Sequence, residues 1–405
     1  MERADVIILG GGLVGLTLAL ALDRHGLSTI VIDPADPETQ LAPQYDGRAT
    51  AVASSSWRML QAIGVGDGLE GKGCPIEAIR VSDGLGSGGI AFNPAPDDDP
   101  LGMMFENRLL RATLRDCAKS ADRVQLLMPA RPGEILRDAH SVRVALDDGR
   151  LVTGPLLVAA DGRNSPMREA ANIPLAQWRY EHEAIVATVA HEKWHENVAY
   201  EIFYPDGPFA ILPMLPGEDG RQRSAIVWSV PAADAPAVRG LPDRALAHEI
   251  QKRMGGFLGA VELAGPRWSY PLGFHHAATL TSGRLALAGD AAHGIHPIAG
   301  QGLNLGFRDA AALAEVLVEG ARLGMDLGDA QLLARYQGWR GLDTLMVAFA
   351  TDSLTRLYGV PGGAAAVRRF GMGAVQRIGP LKDRLMAEAR GESGDLPLLL
   401  RGLPI

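Results

Sequence analysis

A glycine-rich turn between an apolar run and a helical pattern limits most strongly what this chain can fold into. Residues 5–9 (DVIIL) form a continuous apolar run, as a strand buried on both faces requires, and lead directly into GGGLVG at residues 10–15. Residues 13–25 predict a helix ended by Gly26, and residues 28–32 (STIVI) predict a second buried strand. The sequence therefore predicts the strand–helix–strand unit of a Rossmann-like α/β domain.

The glycines of this turn stand in the G-x-G-x-x-G pattern that binds dinucleotides. Gly10 permits the tight turn, Gly12 lets a pyrophosphate approach the backbone, and Gly15 lets helix and strand pack closely. Asp33 follows Gly15 by 18 residues, where an acidic side chain accepts hydrogen bonds from an adenosine ribose. The pattern predicts dinucleotide binding, but by itself it does not distinguish FAD from NAD(P).

A second strand–turn–helix pattern lies near the other end of the chain. Residues 285–288 form a short apolar run, followed by GDAAH at 289–293, HPIAGQGLN at 296–304, and a pattern rich in Ala and Leu that predicts a helix to about residue 320. A nicotinamide nucleotide alone does not need this second turn. A longer cofactor such as FAD does, since its ribityl chain and flavin ring extend beyond the adenine half.

Four further segments carry a family resemblance. LLVAADGRNSPMR at 156–168 resembles the Asp-Gly motif of flavin-dependent aromatic hydroxylases, and HPIAGQGLNLGFRD at 296–309 resembles the signature of the ubiquinone-biosynthesis hydroxylases among them. ENR at 106–108 and SGDLP at 393–397 are similar to the same family. The resemblance covers most of the chain. It implies a Rossmann-like FAD-binding domain of the aromatic-hydroxylase type, an inserted antiparallel β-sheet substrate domain and a C-terminal helical region.

The resemblance also implies which residues hold the cofactor. Asp290 would bind the ribityl and pyrophosphate region of FAD, and Arg48 and Arg108 would lie against FAD. Asp161 would support the pyrophosphate of FAD and the position at which the nicotinamide approaches it. For both arginines ordinary surface charge is the alternative, and for Asp161 a simple turn position.

The helix after the second turn would begin at the flavin. Gly302 and Asn304 would direct its N-terminal dipole and free N–H groups at the pyrimidine edge of the ring, and the loop from Pro297 to Gly300 would lie beside the reactive ring. His293 and His296 are candidates for a general base, with structural hydrogen bonding to the backbone as the favoured alternative.

The activity that the resemblance implies is a monooxygenase reaction. NAD(P)H would reduce FAD, O2 would then react with the flavin, and the aromatic ring of a polyprenyl phenol would be hydroxylated on the way to ubiquinone. Two alternatives stay open. One is a related FAD hydroxylase or reductase of another aromatic or isoprenoid substrate, and the other is a non-catalytic subunit of a ubiquinone-biosynthesis complex that binds FAD or lipid.

The order of the motifs predicts domains that are discontinuous in sequence. Strand patterns between residues 183 and 230, with turns between them, predict an antiparallel sheet that residues 76–92 join. We assign residues 1–73, 101–175 and 270–325 to the FAD-binding domain. Residues 74–100 and 176–269 form the predicted substrate domain, and residues 326–405 the C-terminal helical region.

One motif points to another chemistry. HEKWH at residues 191–195 matches the H-E-x-x-H pattern of zinc proteases, which requires both histidines on one face of a helix. The flanking segments AIVATVA and VAYEIFY favour strands, so we predict a hairpin turn and no metal site.

Composition and charge exclude several classes of protein. With 47% hydrophobic and 21% charged residues, this chain of 405 residues has a globular composition, and its net charge of -8 argues against nucleic acid as a partner. No run reaches the ~20 apolar residues that span a bilayer. Two cysteines favour a reducing cytoplasm.

Residues 355–390 contain seven basic and two acidic side chains among apolar ones. This pattern suggests that the segment binds peripherally to the cytoplasmic face of a membrane, with a solvated helix as the alternative.

Overall fold

The computed structural model describes residues 1–42, 47–86, 89–95, 97–295, 300–341 and 379–405. Its strands form four sheets. In chain order the strands are β1 (Glu2–Arg3), β2 (Val6–Leu9), β3 (Thr29–Ile32), β4 (Ala49–Ala53), β5 (Cys74–Ile76), β6 (Ala78–Asp83), β7 (Gly89–Phe92), β8 (Gly102–Glu106), β9 (Val124–Leu127), β10 (Pro132–Arg137), β11 (Val142–Leu146), β12 (Leu151–Gly154), β13 (Leu156–Ala159), β14 (Leu175–His191), β15 (Val198–Tyr204), β16 (Gly207–Met214), β17 (Gln222–Pro231), β18 (Val261–Ala277), β19 (Thr281–Ser282), β20 (Leu285–Leu287) and β21 (His293–Gly294).

Helices connect and cover these sheets. They are α1 (Leu13–Arg24), α2 (Pro37–Leu41), α3 (Ser54–Ala62), α4 (Gly66–Leu69), α5 (Asn107–Ser120), α6 (Pro166–Ala170), α7 (Ala235–Arg239), α8 (Asp243–Met254), α9 (Gln301–Arg322) and α10 (Gly379–Ala389). Two 3₁₀ helices, Gly289–Ala291 and Leu398–Arg401, and a helical stretch at residues 330–341 add to these.

The six-stranded sheet contains the predicted nucleotide-binding unit. Its order is β19-β20-β13-β2-β3-β9, and all neighbours are parallel except the edge pair β19 and β20. Every residue of β2, β3, β13 and β20 is buried, as expected for strands covered on both faces. Helices α1, α5 and α9 pack with this sheet in one large apolar core. The predicted strand–helix–strand unit is therefore confirmed as β2, α1 and β3.

The eight-stranded sheet is the predicted antiparallel sheet. Its order is β21-β18-β14-β17-β16-β15-β6-β7, and its pairs are antiparallel except β6 with β15. Strands within residues 76–92 join it, as the sequence predicted. One face packs on α8 through Leu246, Ile250 and Met254. The other face packs against the three-stranded sheet β4-β8-β5.

A fourth sheet and a C-terminal helical part make up the rest of the described structure. The four-stranded sheet has the order β1-β12-β11-β10. Helix α10 and the 3₁₀ helix at Leu398–Arg401 lie in the predicted C-terminal helical region. Among the described residues, no helix combines the length and the apolar character needed to cross a membrane. Most of the basic segment 355–390 lies outside the described residues, and the residue limits of the domains stay a prediction.

Candidate cofactor site

The first glycine turn is shaped by close packing of backbone. Gly10 has φ +108°, a conformation that L side chains rarely adopt, and a Cβ atom there would overlap the carbonyl oxygen of Ala160. A Cβ atom at Gly15 would likewise overlap the carbonyl oxygen of Gly10. These two glycines are therefore required by the protein's own fold.

Gly12 is different from its two neighbours in the motif. It has the extended backbone φ -79° and ψ -173°, which any residue adopts, and a Cβ atom there would meet no described protein atom within 4 Å. It caps α1, whose first N–H groups have no partner within the helix. Open space before free N–H groups fits a pyrophosphate, because helix N-termini bind anions. Packing among the described residues therefore does not account for a glycine at this position.

Asp33 follows β3 and braces the same turn. Its Oδ2 accepts a hydrogen bond from the Gly11 N–H at 2.7 Å, and its Oδ1 accepts one from the Ala35 N–H at 2.8 Å. Each carboxylate oxygen keeps a further lone pair for a ribose hydroxyl. Asp33 therefore holds the glycine turn and keeps acceptor capacity for a ligand, and the ribose contact stays a prediction.

The second glycine turn lies beside the first. β20 and β2 flank β13 in parallel, so their carboxyl ends share one edge of the sheet. Gly289 has φ +61°, and a Cβ atom there would come within 3.1 Å of Val14 in helix α1. Asp290 is exposed, and its carbonyl oxygen lies 2.8 Å from Nε2 of His275. The two motifs that the sequence separates by most of the chain are thus neighbours.

A buried carboxylate holds the second turn in place. Asp309 in α9 is fully buried; its Oδ2 accepts from the Gly289 N–H at 2.9 Å and lies 2.6 Å from Nε2 of His293, and its Oδ1 accepts from Arg340 Nε at 2.8 Å. Burial opposes ionisation of Asp309, but His293 and Arg340 outweigh it and lower the carboxyl pKa. His293 is 2% exposed, and its ring bonds the Asp309 carboxylate, whereas the sequence favoured a hydrogen bond to the backbone.

Helix α9 begins at this turn. Gly300 caps it with φ +64°, and a Cβ atom at Gly302 in the first turn would meet no described atom within 4 Å. Asn304 is buried; its Oδ1 accepts from the Ala53 N–H at 2.9 Å, and its Nδ2 donates to the carbonyl oxygens of Ala51 at 2.9 Å and Gly300 at 3.3 Å. The Asn304 side chain thus fixes β4 against α9. His296 and Pro297 lie outside the described residues.

The Asp-Gly motif lies between the two glycine turns. Asp161 follows β13; its Oδ2 accepts from the Met167 N–H at 3.3 Å, while its buried Oδ1 has no partner among the described residues. Burial raises the pKa of this carboxyl group. An orphaned carboxylate oxygen beside both turns fits a cofactor that donates a hydrogen bond.

Arg168 ties this motif to the second turn. Its buried guanidinium donates from Nη1 to the carbonyl oxygens of Ala291 at 2.9 Å and Arg163 at 3.1 Å. Arg168 and Asp309 lie within the two sequence motifs, but the motifs predicted no role for either residue. The signal available was their position inside the two signatures.

The two predicted arginines lie at the junction of the sheets. The Arg48 guanidinium stands 5.2 Å from the ring centroid of Tyr270 in β18, and the Arg48 carbonyl oxygen accepts from the Asn107 N–H at 2.9 Å. Arg108 is exposed and lines a pocket of about 500 Å³ together with Lys72, Met104, Leu215 and Arg223. Among the described residues, Arg108 has no hydrogen-bond or ion-pair partner, so its charge is available to a ligand.

The two histidines of the zinc-protease motif have other hydrogen-bond partners. His191 ends β14, with Nδ1 2.8 Å from the Lys193 carbonyl oxygen and Nε2 2.9 Å from Ser224 Oγ, and His195 Nε2 lies 2.9 Å from the Met214 carbonyl oxygen. Burial lowers the pKa of both histidines. Among the described residues, no three or more His, Cys, Asp or Glu side chains cluster in a way that could hold a metal ion.

The connection around HEKWH is a loop between strands, as predicted, but the predicted hairpin is wrong. β14 pairs with β17 and β18, whereas β15 pairs with β16 and β6. Flanking β patterns identify two strands but do not determine whether those strands pair with each other.

Comparisons with known proteins agree with this geometry. Residues 3–341 match the family model described as FAD binding domain. The chain is 45% identical over 406 residues to ubiquinone hydroxylase UbiL of Rhodospirillum rubrum, covering 99% of this chain and 94% of that protein. It is 32% identical to 3-demethoxyubiquinol 3-hydroxylase of Escherichia coli, covering 96% and 99%.

The fold is similar to solved aromatic monooxygenases. The structure of p-nitrophenol 4-monooxygenase PnpA from Pseudomonas putida superposes with a TM-score of 0.78 at 18% identity, covering 98% of this chain and all of that one. This similarity shows the fold alone. Together with the sequence relatives and the glycine turns, it leads to one conclusion: the chain belongs to the FAD-dependent hydroxylases of ubiquinone biosynthesis.

Proposed function

We propose that this enzyme uses NAD(P)H and O2 to hydroxylate the aromatic ring of a polyprenyl phenol intermediate of ubiquinone biosynthesis. The observation that carries the proposal is the open space at Gly12, which lies beside a second glycine turn in a chain 45% identical to a ubiquinone hydroxylase. When bound, FAD supplies the transfer of electrons from NAD(P)H to O2 and of one oxygen atom to the ring.

The first half of the site binds the nucleotide part of FAD in this proposal. The N–H groups at the start of α1 bind the pyrophosphate across Gly12, and Asp33 accepts from the adenosine ribose. Asp161 accepts a hydrogen bond through its orphaned Oδ1. Asp290 binds the ribityl and pyrophosphate region from the second turn.

The second half of the site faces the flavin ring. The positive end of α9, at Gly300 and Gly302, would favour negative charge on a flavin bound there. Asn304 acts on the ring through the position of β4 rather than by direct contact. Arg48 and Arg108 place positive charge at the junction with the substrate sheet.

The proposal predicts coupled turnover. Purified holoenzyme given O2, NADH or NADPH and a phenol with one ten-carbon prenyl chain is expected to consume one NAD(P)H for each hydroxylated product, because insertion of one oxygen atom from O2 requires the two electrons of one NAD(P)H. Product identified by mass spectrometry and NAD(P)H oxidation followed by absorbance give the ratio.

The alternatives are the other outcomes of this measurement. NAD(P)H oxidation with no oxygenated product would indicate a reductase, and hydroxylation only of an unprenylated aromatic would indicate another hydroxylase. FAD binding with no NAD(P)H oxidation would indicate a non-catalytic subunit. Each of these three results contradicts the proposed function.

We also propose that the basic segment 355–390 brings the enzyme to an anionic membrane surface, where a prenylated phenol and other enzymes of the pathway would gather. Seven basic side chains interspersed with apolar ones support this. The double variant Arg368→Glu and Arg369→Glu is expected to weaken binding to vesicles containing phosphatidylglycerol at least ~10-fold, since each cation near the surface contributes about 1 kcal/mol. Vesicle sedimentation at low and high salt measures the effect.

A matched double variant controls for net charge. Lys193→Glu with Arg244→Glu reverses two exposed cations of the substrate sheet region and is expected to leave vesicle binding unchanged. Equal binding by wild type and the Arg368/Arg369 variant would contradict the membrane proposal.

A further inference from the structure

One acidic side chain in the eight-stranded sheet has a position that the predicted motifs do not explain. Glu201 lies in the middle of β15, directly opposite Val81 of β6 and Ala210 of β16. Because side chains alternate along a strand, Glu201 shares a face with Ala199 and Phe203. Its immediate neighbours on that face are therefore apolar.

This face packs against the three-stranded sheet rather than against α8. Tyr200, Ile202 and Tyr204 pack on the α8 side of the sheet. On the opposite face Ala199 belongs to a cluster with Met104, against which Val81, Leu212 and Ala51 pack while staying only partly buried.

The same cluster leads to the start of α9. The carbonyl oxygen of Ala51 accepts from Asn304 Nδ2 at 2.9 Å, and Asn304 lies in the first turns of α9. Among the described residues, the face that carries Glu201 thus packs against the three-stranded sheet β4-β8-β5, whose strand β4 bonds the first turns of α9 through Asn304.

The Glu201 carboxyl group has no protein partner there. None of the described residues hydrogen-bonds to it or forms an ion pair with it, and it is only partly exposed. Burial raises the pKa of Glu201 to about 8. An unpartnered carboxyl group among apolar side chains destabilises a fold, so its presence points to a ligand that completes its hydrogen bonds.

We propose that Glu201 is the polar group that binds the ring hydroxyl of the aromatic substrate. This inference rests on the proposed function, which supplies a phenol as the ligand. A neutral carboxyl group both donates and accepts a hydrogen bond, and so matches a phenol hydroxyl. The apolar side chains around it match the ring and a prenyl chain. Specificity of this kind comes from one correctly placed polar group in an apolar pocket.

Two variants of Glu201 test the contact. The probes are 2-geranylphenol and geranylbenzene, which differ only in the ring hydroxyl. Wild-type holoenzyme is expected to bind the phenol roughly 10-fold to 100-fold more tightly than the benzene, since that is the range for one buried hydrogen bond. Glu201→Leu is expected to abolish this preference, and Glu201→Gln to keep most of it because the amide also donates and accepts. Calorimetry measures the affinities.

Measurements of protein stability distinguish a role of Glu201 in substrate binding from a role in the fold. Glu201→Leu replaces an unpartnered carboxyl group by an apolar one and is expected to leave the melting temperature at pH 7.5 equal or higher, with FAD content unchanged. A Leu variant that loses stability together with affinity would assign Glu201 to the fold and overturn the inference. Glu262→Leu, at an exposed position of β18, is the matched control and should not alter phenol affinity.

Two results overturn the inference without any need for the Leu variant to fold. The first is equal affinity of the wild type for 2-geranylphenol and geranylbenzene. The second is a Glu201→Gln variant that no longer binds the phenol more tightly than the benzene. The proposed function fails separately, when wild type forms no hydroxylated product from 2-geranylphenol. Hydroxylation by wild type and by Glu201→Leu with the same KM would overturn this inference alone.

Discussion

Asp309→Ala is expected to lower the free energy of unfolding by about 3–5 kcal/mol, the range for removing one partner from a buried ion pair. The Asp309 carboxylate is fully buried and satisfies Gly289 N–H, His293 and Arg340 together. Without it, Arg340 Nε and the Gly289 N–H each lose a buried acceptor. Urea denaturation of the apoprotein measures the loss.

The same variant is expected to lose FAD, because Asp309 holds the second glycine turn at Gly289. Glu319→Ala is the matched control, since Glu319 lies in the same helix and pairs with Arg335 at 2.6 Å, with side chains 40% and 49% exposed. An exposed pair contributes about 0–1 kcal/mol. If Asp309→Ala costs no more than Glu319→Ala, the buried carboxylate does not organise the turn.

Gly12→Val is expected to weaken FAD binding at least ~100-fold, about 3 kcal/mol, while the apoprotein keeps its stability to within about 1 kcal/mol. The backbone at Gly12 is extended and no described protein atom lies near its missing side chain. The valine would therefore occupy the space assigned to the pyrophosphate. Fluorescence titration of apoprotein with FAD and a thermal melt measure the two quantities.

Variants at two other glycines are the controls for this measurement. Gly265→Val places the same side chain at an exposed position of β18 with equally open surroundings, and FAD affinity should not change. Gly10→Ala should destabilise the apoprotein itself, because Gly10 has φ +108° and no room for a Cβ atom. Gly12→Val that binds FAD as tightly as wild type would show that the cofactor lies elsewhere.

Much of the nucleotide-binding half was predictable from local pattern. The apolar runs of β2 and β3, the helix ended by Gly26 and the glycine spacing are each short-range signals, and all four appear in the structure. The β patterns of the substrate sheet were predictable for the same reason. Pairing was not, since HEKWH connects two strands that have other partners.

The motif residues show a second limit of predicting a site from sequence. Asp33 and Asp161 were expected at the cofactor, and the structure gives them free acceptor capacity beside the glycine turns. Asn304 was expected there too, yet its amide is used entirely by the backbone of Ala51, Ala53 and Gly300. A motif marks a position near a site, whereas the direction of each side chain depends on contacts from distant segments.

Local pattern was enough to predict the glycine turns, the class of cofactor and the family, because these depend on backbone geometry within a few residues and on motif order. Which segments meet at the site became visible only in the folded chain. It brought Gly289 of the second turn onto Val14 of the first helix, buried Asp309 beneath that turn, and left Glu201 without a partner on an apolar face. Burial and long-range contacts determine the free-energy cost of a buried charge and the number of hydrogen bonds that a side chain has left to make. Neither can be predicted from the local spacing of residues.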